Sequence, residues 1–251
     1  MTRKDQYYNK AKQEGYRARS AYKLKQIDDE VGLFGANDTV LDLGAAPGGW
    51  LQVAEERAGD VYGVDFKSIE PIDNVKFVRG DLTEESTLER LKETMYSADV
   101  VISDMAPNVS GDWNLDHSRS VHLARTALDT AKELCEPGGD FLVKVFQGDM
   151  IQEFREEVEG EFEWVRGYTP DASRDESSET YIIGKGYLDT PVSGGDVLEV
   201  EVVDEGDEGD GIAKVEGYTL IVEDHADQGE VEVEVVDVKG NYAFAETTCR
   251  E

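Results

Sequence analysis

The sequence predicts an α/β protein of Rossmann-like type with a small all-β barrel at its end, on three observations. Short apolar runs at residues 40–43, 61–64, 75–78, 100–103 and 141–146 alternate with helical stretches at 50–57, 84–96 and 117–135. That alternation implies a parallel sheet with helices on both faces. The first run breaks into the glycine-rich turn Gly44-Ala45-Ala46-Pro47-Gly48-Gly49, which opens a helix at Trp50. Beyond residue 190 the pattern becomes acidic and β-branched residues in alternation around glycines, the signature of short strands.

Each element has its own warrant. Ser20 is placed to cap a helix whose apolar positions Tyr22, Leu24, Ile27 and Val31 lead to Gly32. The helix over 117–135 carries Ala124, Ala127, Leu128, Ala131 and Leu134 along one face, and Pro137-Gly138-Gly139 follows it. A helix at 150–158 precedes strands at 162–168 and 180–184, which lie too close in sequence for a crossover and so form an antiparallel pair at the sheet edge. The barrel strands are expected at 197–203, 211–215, 218–222 and 230–238. The boundary falls near Asp189, dividing the chain into 1–189 and 190–251. The acidic run 204–211 does not register with a calcium-loop frame.

Composition narrows the class. The 251 residues hold 25 Lys and Arg against 56 Asp and Glu, a net charge of −31. Such a surface suits molar salt, where the Debye length of about 3 Å screens both self-repulsion and repulsion from a polyanion. The opening segment departs from the rest: Arg3, Lys4, Lys10, Lys12, Arg17, Arg19, Lys23 and Lys25 stand against only Asp5 and Glu14. It reads as a basic arm on an acidic body. Cys135 and Cys249 provide no disulfide framework and no paired zinc motif. His117 and His122 are off the spacing of a helical zinc pair, so no metal is expected. With no apolar leader and no stretch of roughly 20 apolar residues, a cytoplasmic protein without membrane contact is expected; a monomer is the expected state, on no separate sequence signal.

In open parallel sheets a ligand lies beyond the carboxyl ends of the strands, and those positions here are acidic: Asp65, Asp81 and Asp104. The glycines of the turn allow close backbone approach. Asp65 suits a ribose, Asp81 an adenine amino group. An acid-lined pocket would repel a pyrophosphate and favours a cationic cofactor, S-adenosylmethionine, over a nicotinamide. Lys144 lies within the apolar strand Phe141-Leu142-Val143-Lys144-Val145-Phe146, where a lysine must be paired or lose its proton.

The motifs Asp42 to Trp50, Ser103 to Asn108 and Val143 to Gly148, with Ser178-Glu179-Thr180-Tyr181 beyond them, closely resemble the FtsJ/RrmJ-type ribosomal RNA ribose 2′-O-methyltransferases. The resemblance spans residues 6–187. It implies a seven-stranded sheet with the last strand antiparallel, and a catalytic tetrad of Lys23, Asp104, Lys144 and Glu179 with Lys144 as the proton acceptor. It implies S-adenosylmethionine contacts at Gly48, Trp50, Asp65, Asp81 and Asp104. The expected substrate is a uridine of the A-loop in 23S rRNA of the large ribosomal subunit, with Arg17, Arg19 and Lys25 on the RNA. The tail is similar to a TRAM domain, an RNA-binding barrel, although only Lys214, Lys239 and Arg250 face 18 acids there. Transfer-RNA and cap ribose methyltransferases share the tetrad. A ribosome-assembly factor that has lost catalysis and a small-molecule methyltransferase are further alternatives, the first disfavoured by the intact tetrad and the second by the basic arm.

Overall fold

The computed structural model describes residues 3–173, 177–206 and 209–248; Cys249 and Arg250 lie outside them, as do the side chains of Arg3, Lys4 and Asp5. Two helices open the chain, α1 (Arg3–Glu14) and α2 (Ala21–Val31). Strand and helix then alternate through β1 (Val40–Leu43), α3 (Gly49–Arg57), β2 (Val61–Asp65), β3 (Val75–Arg79), α4 (Glu85–Thr94), β4 (Ala98–Ser103), α5 (Trp113–Leu134), β5 (Cys135–Phe146) and α6 (Ile151–Glu159). β6 (Phe162–Tyr168) and β7 (Glu179–Tyr187) complete a seven-stranded sheet in the order β3-β2-β1-β4-β5-β7-β6. β7 inserts between β5 and β6 and runs antiparallel to both, while the other pairs are parallel.

Period-2 alternation along the strands divides the core into two layers. Leu41, Leu43, Val101, Phe141, Val143 and Val145 pack with α4, α5 and α6. Val40, Val100, Ile102, Leu142, Tyr181 and Ile183 pack with α2 and α3. Asp42 and Lys144 share the parity of Val40 and Leu142, so both project into the α2/α3 layer.

Three local expectations need correction. The basic arm begins as helix α1, whose Ala11 packs with Tyr7, Tyr16, Tyr22 and Ala172. Ser20 makes no side-chain cap and already has helical φ −62 and ψ −18; its carbonyl instead accepts the Trp50 indole N–H at 2.9 Å and the Lys23 backbone N–H at 3.0 Å. Pro137-Gly138-Gly139 lies inside the early part of β5, which begins at Cys135 directly after α5.

The C-terminal module is a closed five-stranded barrel in the order β10-β12-β11-β8-β9. It comprises β8 (Val197–Glu205), β9 (Gly211–Val215), β10 (Tyr218–Val222), β11 (Gly229–Val238) and β12 (Tyr242–Thr247). The last strand is absent from the sequence reading because Ala243 and Ala245 replace the β-branched residues that mark the others. Both alanines are fully buried, where a narrow barrel interior admits only small side chains. Among the described residues, no helix is long and apolar enough to cross a membrane.

Candidate active site

The chain leaves β3 and returns at β4 on the other side of β1, so the sheet order reverses between β1 and β4 and opens a crevice at their carboxyl ends. A cavity of about 560 Å³ lies there, lined in part by Gly44, Asp65, Phe66, Asp81, Asp104 and Met105. A smaller one of about 40 Å³ adjoins it, lined by Ser20, Asp42, Gly44 to Pro47, Gly49, Trp50 and Asp104. Gly44, Ala46 and Asp104 border both.

The glycine turn is held open by committed backbone and side-chain bonds. Asp65 Oδ2 accepts the Ala46 N–H at 3.0 Å and Oδ1 accepts the Lys67 N–H at 2.8 Å, so this carboxylate ties β2 to the turn while facing the large cavity. Gly44 has φ +74, and a Cβ there would strike the Met105 side chain. Gly48, at φ +104, turns away from both cavities toward Ile72 and Arg17. Asp81 accepts the Thr83 N–H and hydroxyl at 3.0 and 2.8 Å, and these bonds hold its carboxyl below the ordinary range. Trp50 is buried; its indole bonds the Ser20 carbonyl and its ring lies 5.9 Å from that of Tyr181.

Two buried lysine–carboxylate pairs stand on the α2 side of the sheet. Lys144 Nζ donates to Asp104 Oδ1 at 2.8 Å and also to the Asp104 carbonyl. Lys23, from α2, meets Glu179 Oε1 at 2.5 Å. Register explains the convergence: Lys144 pairs with Tyr181 and Phe146 with Glu179, so Glu179 and Tyr181 lie on the same face of β7. The Tyr181 hydroxyl donates to Asp104 Oδ1 at 3.0 Å, and Lys23 Nζ lies 5.9 Å from the Tyr181 ring centre. Burial above all, then the charges of Asp104 and Glu179, pushes the Tyr181 hydroxyl well above its usual range, so it remains a donor. Lys23 and Lys144 are 7% and 6% exposed, and an unpaired buried ammonium at either place would be strongly destabilising.

Tyr181 stands in a sequence motif that assigns it no part, and Asp42 marks only the start of the glycine motif. Asp42 Oδ2 is buried without a hydrogen-bond partner among the described residues. Burial, then the charges of Asp104 and Asp65, pushes its carboxyl well above the usual range. His117 and Asp116 also gain a purpose. Asp116 accepts the N–H groups of Ser110 and Gly111, at 2.8 and 3.1 Å, and His117 Nδ1 lies 3.0 Å from the Phe146 carbonyl while Nε2 accepts the Met150 N–H at 3.1 Å. The first turn of α5 thus holds the loops that follow both β4 and β5. Only the tertiary fold reveals such bonds.

The basic segment is engaged internally. Arg17 donates to the Glu70 and Pro71 carbonyls at 2.5 and 2.8 Å, Arg19 to the Ala172 carbonyl at 2.7 Å, and Lys25 pairs with Glu56 at 3.1 Å.

A buried amine beside a carboxylate, next to an acid-lined cavity, can remove a proton from a hydroxyl presented to a cationic group. Residues 16–187 match the model of the FtsJ-like methyltransferases and residues 191–248 that of the TRAM domain. A protein of Halorubrum lacusprofundi named ribosomal RNA large subunit methyltransferase E is 60% identical, with 98% of this chain and 94% of that protein covered. Proteins of the same name from Natronomonas pharaonis and Methanothrix thermoacetophila are 56% and 52% identical; the first covers 98% of this chain and 99% of its own length, the second 96% of each. A crystal structure of a Plasmodium falciparum protein described as a ribosomal RNA methyltransferase superposes with a TM-score of 0.62 at 27% identity, over 68% of this chain and 98% of that one.

Proposed function

The chain belongs to the FtsJ-like methyltransferases and ends in a TRAM domain, and from that premise we propose that it methylates the ribose 2′-hydroxyl of a uridine in the A-loop of 23S rRNA, using S-adenosylmethionine. The observation that carries this reading is the pairing of Lys144 with Asp104 and of Lys23 with Glu179 at one edge of the cofactor-sized crevice. The names of the relatives support ribosomal RNA as the substrate.

The residues fit the cofactor's chemistry. In this reading Asp65 takes the ribose hydroxyls and Asp81 the adenine amino group, while Asp42 and Asp104 offset positive charge; Asp65 and Asp81 line the large cavity, Asp42 and Asp104 the small one. Gly44 borders both cavities, and having no Cβ it lets the Met105 side chain pack against the turn. Gly48 acts through the shape of the turn and Trp50 through its wall against Tyr181. When bound, S-adenosylmethionine supplies a methyl group on a positively charged sulfur. Lys144 takes the 2′-hydroxyl proton as the neutral amine, its ammonium proton having gone to solvent before the step. Asp104 and Tyr181 orient that lysine, while Lys23, oriented by Glu179, contributes positive charge near the oxygen as it becomes negative. Holding two reacting groups in line can contribute about 7 to 11 kcal/mol, which assigns the rigid β5/β7 register a direct part in the rate. The segment from Arg17 to Lys25 is the proposed RNA face, with Arg17, Arg19 and Lys25 as contacts, and the barrel is a second RNA surface.

Two measurements test this. Lys144→Ala should abolish methyl transfer to 23S rRNA while S-adenosylhomocysteine binding persists; retained turnover would overturn the base assignment. Deleting the gene should remove one ribose methylation from the A-loop of 23S rRNA, and loss of a transfer-RNA site instead would redirect the substrate.

A further inference from the structure

We infer that Trp113, at the start of α5, is a stacking platform for an unpaired RNA base next to the methylated nucleotide. This rests on the RNA methyltransferase reading above and deepens it, by naming what holds the strand beside the target. On a surface crowded with acids, Trp113 is 58% exposed and Val109, in the loop before it, 71%, with Leu115 exposed as well. Three large apolar side chains facing water within seven residues mark a binding surface.

The helix decides where this patch stands. Asp116, His117 and Ser120 follow Trp113 by three, four and seven residues, so all four share one stripe of α5. The other three are buried. His117 Nδ1 lies 3.0 Å from the Phe146 carbonyl and Ser120 Oγ accepts the Phe146 N–H at 2.8 Å, which sets the stripe against the carboxyl end of β5, two residues beyond Lys144. From there α5 runs back to the amino end of β5, so its first turn points away from the sheet. Trp113 therefore stands about one turn, or 5.4 Å, farther out, where the buried stripe emerges into solvent. Its loop also leads back to the crevice, since Ala106, Pro107 and Asn108 line the large cavity. An RNA strand crossing the carboxyl edge of the sheet with its reacting ribose at Lys144 meets the Arg17 to Lys25 face on the α2 side and Trp113 on the α5 side.

The platform is also rigid. Asp116 accepts the N–H groups of Ser110 and Gly111 and the Ser110 hydroxyl, and Asp112 accepts the Leu115 N–H at 3.2 Å. Both acids of the loop are thus bonded to its own backbone, and an aromatic ring held in this way costs little ordering when a ligand arrives. A nucleobase fits the patch because stacking supplies affinity without charge, which suits a chain of net charge −31. Unpaired loop bases laid on aromatic side chains are also a common means of RNA recognition. Three side chains fall well short of the roughly 1,000 Å² that a stable protein interface needs.

Methyl transfer by the full chain to an A-loop RNA hairpin tests this, with the hairpin intact or with an abasic residue on either side of the target uridine. For the wild type, one of the two abasic hairpins should show a KM at least about fivefold higher than the intact one. Trp113→Ala should show a similar rise in KM for the intact hairpin, keep its kcat and S-adenosylhomocysteine affinity near those of the wild type, and no longer distinguish intact from abasic RNA. Trp113→Phe should restore most of the affinity and the distinction. An unchanged KM in Trp113→Ala overturns the inference, and so does an abasic penalty of equal size in the wild type and Trp113→Ala. A dimer in sedimentation velocity that Trp113→Ala abolishes, with the KM for RNA unmoved, would give the patch to a second copy of the chain instead. Should only unmethylated large ribosomal subunits serve as substrate, the KM of Trp113→Ala for them decides in the same way. Absence of transfer to both hairpin and subunits by the wild type would overturn the substrate reading itself and this inference with it.

Discussion

Asp104 joins the parts of the site, because its Oδ1 accepts both Lys144 and Tyr181 while the residue borders both cavities. Asp104→Ala should therefore reduce cofactor affinity and turnover together, measured by calorimetry and methyl incorporation, whereas Lys144→Ala affects turnover alone. Tyr181→Phe removes one hydrogen bond to a carboxylate and should cost about 1 to 3 kcal/mol in denaturant unfolding. Asp42 bears on stability with a definite sign. Its folded-state carboxyl holds the proton more tightly than the unfolded chain does, so its contribution is favourable at acid pH and declines as pH rises above the ordinary carboxylate range. The melting temperature of ligand-free Asp42→Asn should accordingly gain on the wild type between acid and neutral pH. A gap that stays constant with pH would contradict this.

At the scale of elements, the β5/β7 register is the feature that assembles the site, since a slip of one residue would turn Lys144 or Tyr181 to the opposite face. The barrel shows the reverse situation, a register that is tolerable only because its exposed face is solvated. Glu199 stands opposite Glu232, and Glu201 opposite Glu230, while Val200, Val202, Val233 and Val235 point into the core. Like charges directly opposite one another destabilise an antiparallel pair. Replacing one by its opposite, Glu199→Lys, should stabilise the barrel by about 0.2 to 1 kcal/mol at low salt. Melting followed with and without molar KCl checks it: the gain should shrink as salt screens the pair.

For the whole molecule, a net charge of −31 on 251 residues makes self-repulsion a property of the fold and not of one site. The melting temperature should rise steadily as KCl increases from about 0.1 M to about 2 M, over which the Debye length falls from about 10 Å to less than 3 Å. Against that background the basic segment can be divided by experiment. Lys25→Glu should raise the Michaelis constant for RNA and leave cofactor affinity nearly unchanged. Arg17→Ala should weaken cofactor binding as well, because its guanidinium links the Glu70 and Pro71 carbonyls beside the buried Gly48 of the turn. Equal effects of the two substitutions on cofactor affinity would remove that distinction.

The linear sequence by itself determined the α/β class, the glycine turn, the acids at the strand ends and the barrel, because periodicity and glycine placement are local properties of a chain. It also marked Lys144, since a charge within an apolar strand stands out without coordinates. Local pattern failed where packing overrides it: α1 and β12 form because tertiary partners accept Ala11, Ala243 and Ala245, and Ser20 contributes its carbonyl instead of its hydroxyl. Only the tertiary structure decided which carboxylate each lysine meets, that Tyr181 bridges to Asp104, and that Asp42 Oδ2 has no hydrogen-bond partner among the described residues. These depend on strand order and register, which bring together residues as far apart in the chain as Lys23 and Glu179. Spacing along a sequence carries no record of distances across a sheet.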